Sequence, residues 1–171
     1  LNGIFSPIIT YGLIVSIETS LDLTTDLGLL EMADFNHPLL KRLSKEASGT
    51  FSHCITVGNL AEAAADAVGA NALLTRIGAY YHDIGKIVKP EYFIENQTYD
   101  INKHDNLKPN LSALVIVNHV EEGIKLAKKY NLPEVITKFI RTHHGTTVIE
   151  YFYQKAIEEA DDPDDVNPDD Y

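Results

Sequence analysis

The spacing of apolar and polar positions predicts helix after helix. The first 17 residues, LNGIFSPIITYGLIVSI, are mostly apolar and carry no charge. A membrane span needs roughly 20 apolar residues, so length alone favours a core helix over an expression remnant or the end of a transmembrane helix. A beginning on Leu1-Asn2 without an initiator Met points to a fragment. TTDLGLLEMA then reads as a helix capped by Thr24 or Thr25, and Asn36-His37-Pro38 punctuates before LLKRLSKEA. Ser48-Gly49-Thr50 opens a long helix whose apolar stripe is expected at His53, Val57, Leu60 and Ala64, spaced i, i+4, i+7 and i+11. Asn71 to Tyr81 forms the next helix, ending near Gly85, before a polar loop with Pro90, Asn96, Gln97 and Pro109. Ser112 to Tyr130 is helical, and Pro133 suits the first turn of a helix that ends at His143-His144-Gly145 with glycine as its C-cap. Thr147 to Ala160 is a last helix. No alternating run of strand length occurs and no internal repeat is visible, so the chain is expected to be all-α.

Composition changes this picture in two places. A chain of 171 residues with 44% hydrophobic content suits one domain with a sizeable core. The single cysteine, Cys54, excludes an internal disulfide; with no signal peptide visible, a reducing compartment is expected. The net charge of −11 is concentrated at one end: EEADDPDDVNPDDY, from Glu158, holds 8 of the 25 acids and none of the 14 bases. The body, with 17 acids against those 14 bases, is near −3, and no basic tract suggests duplex nucleic acid. The acidic segment itself is expected to be a solvated tail or long loop.

The candidate chemistry lies in the histidines. Of seven, His37 and His104 fall in polar, turn-like settings that ask for no special role. His53 sits in the stripe of its helix, and His119 lies beside Val115 and Ile116, with Gly123 leaving room one turn on. Either alone reads as a core histidine bonded to a backbone carbonyl. His143-His144 continue the face of Val135, Ile136, Phe139 and Ile140; a hydrogen-bonded pair in the core is one reading, and a metal that satisfies both rings together is the other. His82-Asp83 ends its helix after Ile77, Ala79, Tyr80 and Tyr81. Five histidines and one aspartate exceed a single four-coordinate zinc site but suit two metal ions, which a carboxylate can bridge and which together activate water and hold phosphate. Lys86 then stands free to approach a phosphate oxygen.

In order and setting these residues resemble the HD-domain metal-dependent phosphohydrolases, and in particular the cytoplasmic domain of the seven-transmembrane-HD proteins, which are cyclic di-AMP phosphodiesterases. LLEMADFNHPLLKRL, GTFSHCITVGNLAEAAA, GAYYHDIGKI, VNHVEEGIKLAKKYNLPEVI and RTHHGTTVIEYFYQKA carry the likeness over nearly the whole chain. The resemblance implies an HD-type helical bundle with a metal site between helices. It divides the chain into residues 1–17 (remnant of a last transmembrane helix or juxtamembrane segment), 18–47 (N-terminal helical extension), 48–157 (the HD domain) and 158–171 (acidic loop or tail). It places the domain on the cytoplasmic face of a bacterial membrane, attached through preceding helices. It leaves oligomeric state open, a dimer being one expectation.

The same resemblance implies hydrolysis of cyclic di-AMP to linear pApA by a metal-activated water. His53, His82 and Asp83 would hold one ion, Asp83, His119, His143 and His144 the other, with iron or manganese favoured. Lys86 would act on the phosphate beside Asp83. The family pattern ends in a further ligating aspartate on a helix after the acidic loop. Nothing in Asp161 to Asp170 fits it, so the chain is expected to stop short or lack a later segment. Ser52, where relatives often carry a second histidine, is a smaller departure. A cyclic di-GMP hydrolase of the HD-GYP branch is set aside because GTTVIEYFY follows the paired histidines. A nucleotide or (p)ppGpp phosphohydrolase and a non-catalytic dinucleotide sensor are the alternatives.

Overall fold

The computed structural model describes residues 2–21, 24–97 and 102–171. Leu1 of the uncharged segment, Asp22 and Leu23 of the N-terminal extension and residues 98–101 of the polar loop lie outside it. Among the described residues eight helices follow one another: α1 (Asn2–Leu21), α2 (Asp26–Met32), α3 (Pro38–Glu46), α4 (Ser48–Ala67), α5 (Ala72–Tyr81), α6 (Pro109–Lys129), α7 (Glu134–Thr142) and α8 (Glu150–Glu159). Between α5 and α6 the described residues form four 3-10 turns, Ile84–Val88, Pro90–Tyr92, Ile94–Asn96 and Lys103–Asn106. Among the described residues there is no strand, as the pattern predicts.

Local chemistry explains most boundaries. Thr25 caps α2 by accepting from Gly28 N, and Asn71 caps α5 by accepting from Leu74 N. His37 takes the same role for α3, where its Nδ1 accepts from Leu39 N ahead of Pro38. Gly145 ends the α7 segment at φ +59, a left-handed conformation that glycine adopts freely. Two helices depart from the prediction. α6 begins at Pro109, three residues before Ser112, because proline at the first helical position lacks only a donor that would be unpaired anyway. α8 begins at Glu150 and not at Thr147. The acidic segment is a loop of two 3-10 turns, Pro163–Asp165 and Pro168–Asp170, capped by Asp162 and Asn167, and it returns so that Ile149 N donates to Tyr171 O.

The core is built by α3, α4, α5, α7 and the Ile84–Val88 turn, around Leu39, Leu43, Cys54, Ile77, Tyr81, Ile84, Ile136 and Ile140. Tertiary packing overturns one face. The stripe of Val57, Leu60 and Ala64 turns away from the core, with Leu60 69% exposed; α4 buries Thr50, Cys54, Gly58 and Ala65 instead. The reason is close approach: a Cβ at Gly58 would lie 2.5 Å from the Tyr80 ring, so α5 seats against the small residues of α4. A second close approach positions the site. A Cβ on Gly85 would overlap the His119 carbonyl, and Gly123 faces Gly85 and Ile140, so the turn after Asp83 packs directly on α6. The room at Gly123 is thus taken by Gly85 and Ile140, not left beside the His119 ring.

α1 is not the core helix that its length alone suggests: Ile4, Phe5, Ile8 and Ile9 are 55–69% exposed. Among the described residues no helix is long and apolar enough to cross a membrane.

Candidate metal centre

Four elements bring the six predicted ligands together. α4 contributes His53; the C-terminal end of α5 contributes His82 and, in the turn beyond it, Asp83; α6 contributes His119; the end of α7 contributes His143 and His144. Asp83 is 3% exposed and stands in the middle. Its two oxygens face opposite ways. Oδ2 lies 3.2 Å from His82 Nε2 and 4.0 Å from His53 Nε2. Oδ1 lies 3.2 Å from His119 Nε2 and 3.5 Å from His143 Nε2. The potential ligand atoms accordingly fall into two groups, His53-His82-Asp83 and His119-His143-His144, each within 4.8 Å.

The backbone decides which nitrogen each ring presents. His82 Nδ1–H donates to the Ala79 carbonyl at 2.7 Å, His143 Nδ1–H to Ile140 at 2.9 Å, and His119 Nδ1–H to Ile116. Each carbonyl lies three residues back on the same helix, so a helical turn fixes tautomer and ring orientation together. The Nε2 atoms then point at Asp83, and those of His119 and His143 come within 3.1 Å of each other. Acceptors converging in this way repel one another unless protons or a metal ion lie among them. Imidazole and carboxylate form a donor set for zinc, iron or manganese. The residues present therefore fit divalent metal, and they do so twice.

Electrostatics separate the members. Burial opposes the charged form of His82, but the Asp83 carboxylate and the Cys54 sulfur, 3.8 Å from Nδ1, outweigh it and push the ring up to about 10. His144 goes the other way, to about 4, through burial and then the neighbouring His143 and His119. Burial alone would raise Asp83; hydrogen bonds from His119, His143 and His82 hold it well below the usual carboxylate range. His143 and His144 share α7's end without sharing its burial, for the His143 side chain is 17% exposed and His144 is open to solvent.

Lys86 is not free, as its place in the sequence suggests. Its Nζ donates to Asp83 Oδ2 at 2.8 Å and to Glu95 Oε1 at 2.9 Å, and it lies 4.9 Å above the Phe93 ring. Burial would lower its pKa, but Asp83 and then Glu95 raise it, so it stays charged. Glu95 is one of three residues that sequence reasoning missed. It accepts from Thr50 Oγ1 at 2.9 Å, while Asn96 Oδ1 accepts from Thr50 N at 3.0 Å and thereby caps α4, whose own Ala47 offers no side chain for the purpose. No local signal marks Glu95, Asn96 or Thr50, because their partners lie 45 and 46 residues apart. A cavity of about 400 Å³ opens over the cluster, walled on its other side by Tyr92, Phe93, Gln97, Asn102 and His104. No acid of residues 158–171 joins either ligand group among the described residues.

The profile of the HD domain family matches residues 50–167. The chain is 43% identical over 160 residues to the cyclic-di-AMP phosphodiesterase PgpH of Bacillus subtilis (strain 168), covering 94% of this chain and 22% of that protein. To PgpH of Listeria monocytogenes it is 46% identical over 158 residues, again covering 22% of the relative. It thus spans about a fifth of the length of these curated relatives. The crystal structure of the L. monocytogenes PgpH HD domain in complex with cyclic-di-AMP superposes with a TM-score of 0.76 at 47% identity, over 81% of this chain and 63% of that one.

Proposed function

The chain belongs to the HD-domain family, and from that premise we propose that it is the catalytic domain of a metal-dependent phosphodiesterase that opens cyclic di-AMP to linear pApA. The observation that carries the reading is the split carboxylate: Asp83 turns one oxygen to His53 and His82 and the other to His119 and His143. His53, His82 and Asp83 would hold one ion, and Asp83, His119, His143 and His144 a second, with iron or manganese suited to this set. Such ions supply Lewis acidity and lower the pKa of a water near a phosphodiester.

The chain's own groups do the rest. The backbone carbonyls behind His82, His119 and His143 hold the three rings so that no reorientation is needed at reaction. Lys86 Nζ has three hydrogens, two engaged by Asp83 and Glu95, and the third is available to a phosphate oxygen in the same cavity. A charge fixed there stabilises a phosphate whose negative charge grows, and it costs no rearrangement. Phe93, buried beneath the ammonium and in edge contact with His119, keeps that side dry and so strengthens the field. The uncharged, exposed residues of α1 would face the membrane, with the domain on its cytoplasmic side.

The test is a hydrolysis assay on the protein loaded with iron or manganese. Cyclic di-AMP should give pApA, with turnover of cyclic di-GMP and ppGpp slower. A protein holding two metals per chain that leaves cyclic di-AMP intact would falsify the reading.

A further inference from the structure

One wall of the cavity takes no part in holding metal or phosphate. It is reached through Phe93, whose ring lies 5.6 Å from His119; Tyr92 precedes it in the chain, and the Tyr92 ring is 5.4 Å from His104. Gln97 and Asn102 complete this wall. With a phosphate over the histidines, the ribose comes next along the cavity and the base beyond it.

Internal hydrogen bonds give the two amides fixed polarity. Asn102 Oδ1 accepts from His104 N at 3.1 Å, and Gln97 Nε2 donates to the Glu91 carbonyl at 3.2 Å and towards Asn102 Oδ1 at 3.5 Å. What remains without a partner among the described residues is one donor group, Asn102 Nδ2, and one acceptor, Gln97 Oε1. His104 backs them. It is 6% exposed, and its Nε2–H donates to the Tyr92 carbonyl at 2.9 Å, which leaves Nδ1 a buried acceptor with no donor. Unpaired buried acceptors are costly and rare, so His104 marks this wall as one whose polar groups are not all satisfied among the described residues.

We propose that Gln97 and Asn102, braced by His104 and flanked by Tyr92, form a base subsite that selects a 6-amino purine over a 6-oxo purine. Adenine offers an acceptor at N7 beside a donor at its 6-amino group, which matches one amide donor and one amide acceptor. Guanine offers two acceptors along that edge, so Gln97 Oε1 would face an oxygen. The Tyr92 ring, over which Lys103 and Lys89 Nζ lie at 5.4 and 5.9 Å, lines the same cavity and adds contact area without selectivity. The proposal rests on the phosphodiesterase reading and deepens it: His104, read from sequence as an ordinary turn residue, becomes a positioning residue for specificity.

The experiment compares the protein, iron- or manganese-loaded, with its Gln97→Leu and Asn102→Leu variants on cyclic di-AMP and on bis(p-nitrophenyl) phosphate, a diester without bases. The ratio of kcat/KM for the dinucleotide to that for the base-free diester should fall roughly ten- to hundredfold in each variant, and the preference for cyclic di-AMP over cyclic di-GMP should shrink with it. Because the ratio cancels any loss of folded protein, an unchanged ratio overturns the subsite. If the wild type cleaves the base-free diester but not cyclic di-AMP, the assignment of cyclic di-AMP as substrate falls by itself. The subsite is then judged by calorimetric titration of cyclic di-AMP, where wild-type affinity in both variants would overturn it and a tenfold or greater weakening would support it.

Discussion

The two halves of the centre share Asp83 but are built differently. His119 and His143 have side chains 2% and 17% exposed, and both rings are pinned by a backbone carbonyl from behind. With His144 they supply three imidazoles to one side of the carboxylate. On the other side only His82 is pinned; His53 is 47% exposed and its Nε2 stands 4.0 Å from Asp83. One half is preorganised, and a metal entering it meets ligands that have little freedom left to lose. The other is open, with two imidazoles, and must order His53 on binding. The expected consequence is a tight ion and an exchangeable one within a single site.

The largest effect tests whether the halves are joined. Asp83→Ala should remove both ions and abolish turnover, a loss of roughly a thousandfold or more given what one preorganised charge contributes to a transition state. Metal analysis that finds one ion retained at full occupancy would separate the halves. Next come the paired variants His119→Ala and His53→Ala. The first should weaken the tight ion by at least roughly tenfold, as loss of a fixed ligand or its support does, whereas the second should leave that ion in place and free only the exchangeable one. Chelator titration of the wild type should accordingly release metal in two phases; equal sensitivity of both variants would erase the contrast.

Protons offer a finer probe. His82 is pushed up to about 10, so near pH 7 it is protonated before binding and must lose that proton to ligate. His144, pulled down to about 4, is already neutral. Loading the open half should therefore release about one proton near neutral pH, seen by calorimetry in buffers of different ionisation enthalpy, and affinity there should climb as pH rises towards 10. The signs for the metal-free fold are opposite. Raised His82 contributes stability that is complete below its ordinary 6.5 and is lost as pH rises through about 10. Depressed Asp83 contributes above the ordinary carboxylate range and fails as acid protonates it. The smallest effect is expected from Cys54→Ala, which removes a sulfur 3.8 Å from His82 Nδ1 but leaves the Ala79 carbonyl to hold the ring. A few-fold weakening confined to the open half is expected; an effect on the tight ion would show that the halves communicate through α4.

All six candidate ligands were legible in the sequence as residues at helix ends or on helix faces, and the structure gathers them around Asp83; the all-α class followed from period and caps. His53 is the instructive case. The stripe that singled it out is exposed, so the right residue was found on a face assigned wrongly to the core. Periodicity reports where apolar residues repeat, but the α4–α5 contact was decided by Gly58 and Tyr80, small against large, which a count of apolar positions does not weigh. Lys86 shows the same gap: its proximity to Asp83 is local, three residues away, but its second partner Glu95 comes from a loop docked on α4 through Thr50.

What the amino-acid sequence determined by itself was local: helices set by spacing and capping, and the identity of atoms able to bind metal. Tertiary structure decided the rest. It joined the ends of two helices to the faces of two others, turned the two oxygens of one carboxylate to different partners, and left a wall of polarised amides across the cavity. These are relations between residues tens of positions apart, fixed by which surfaces pack closest, and close packing depends on shape in three dimensions.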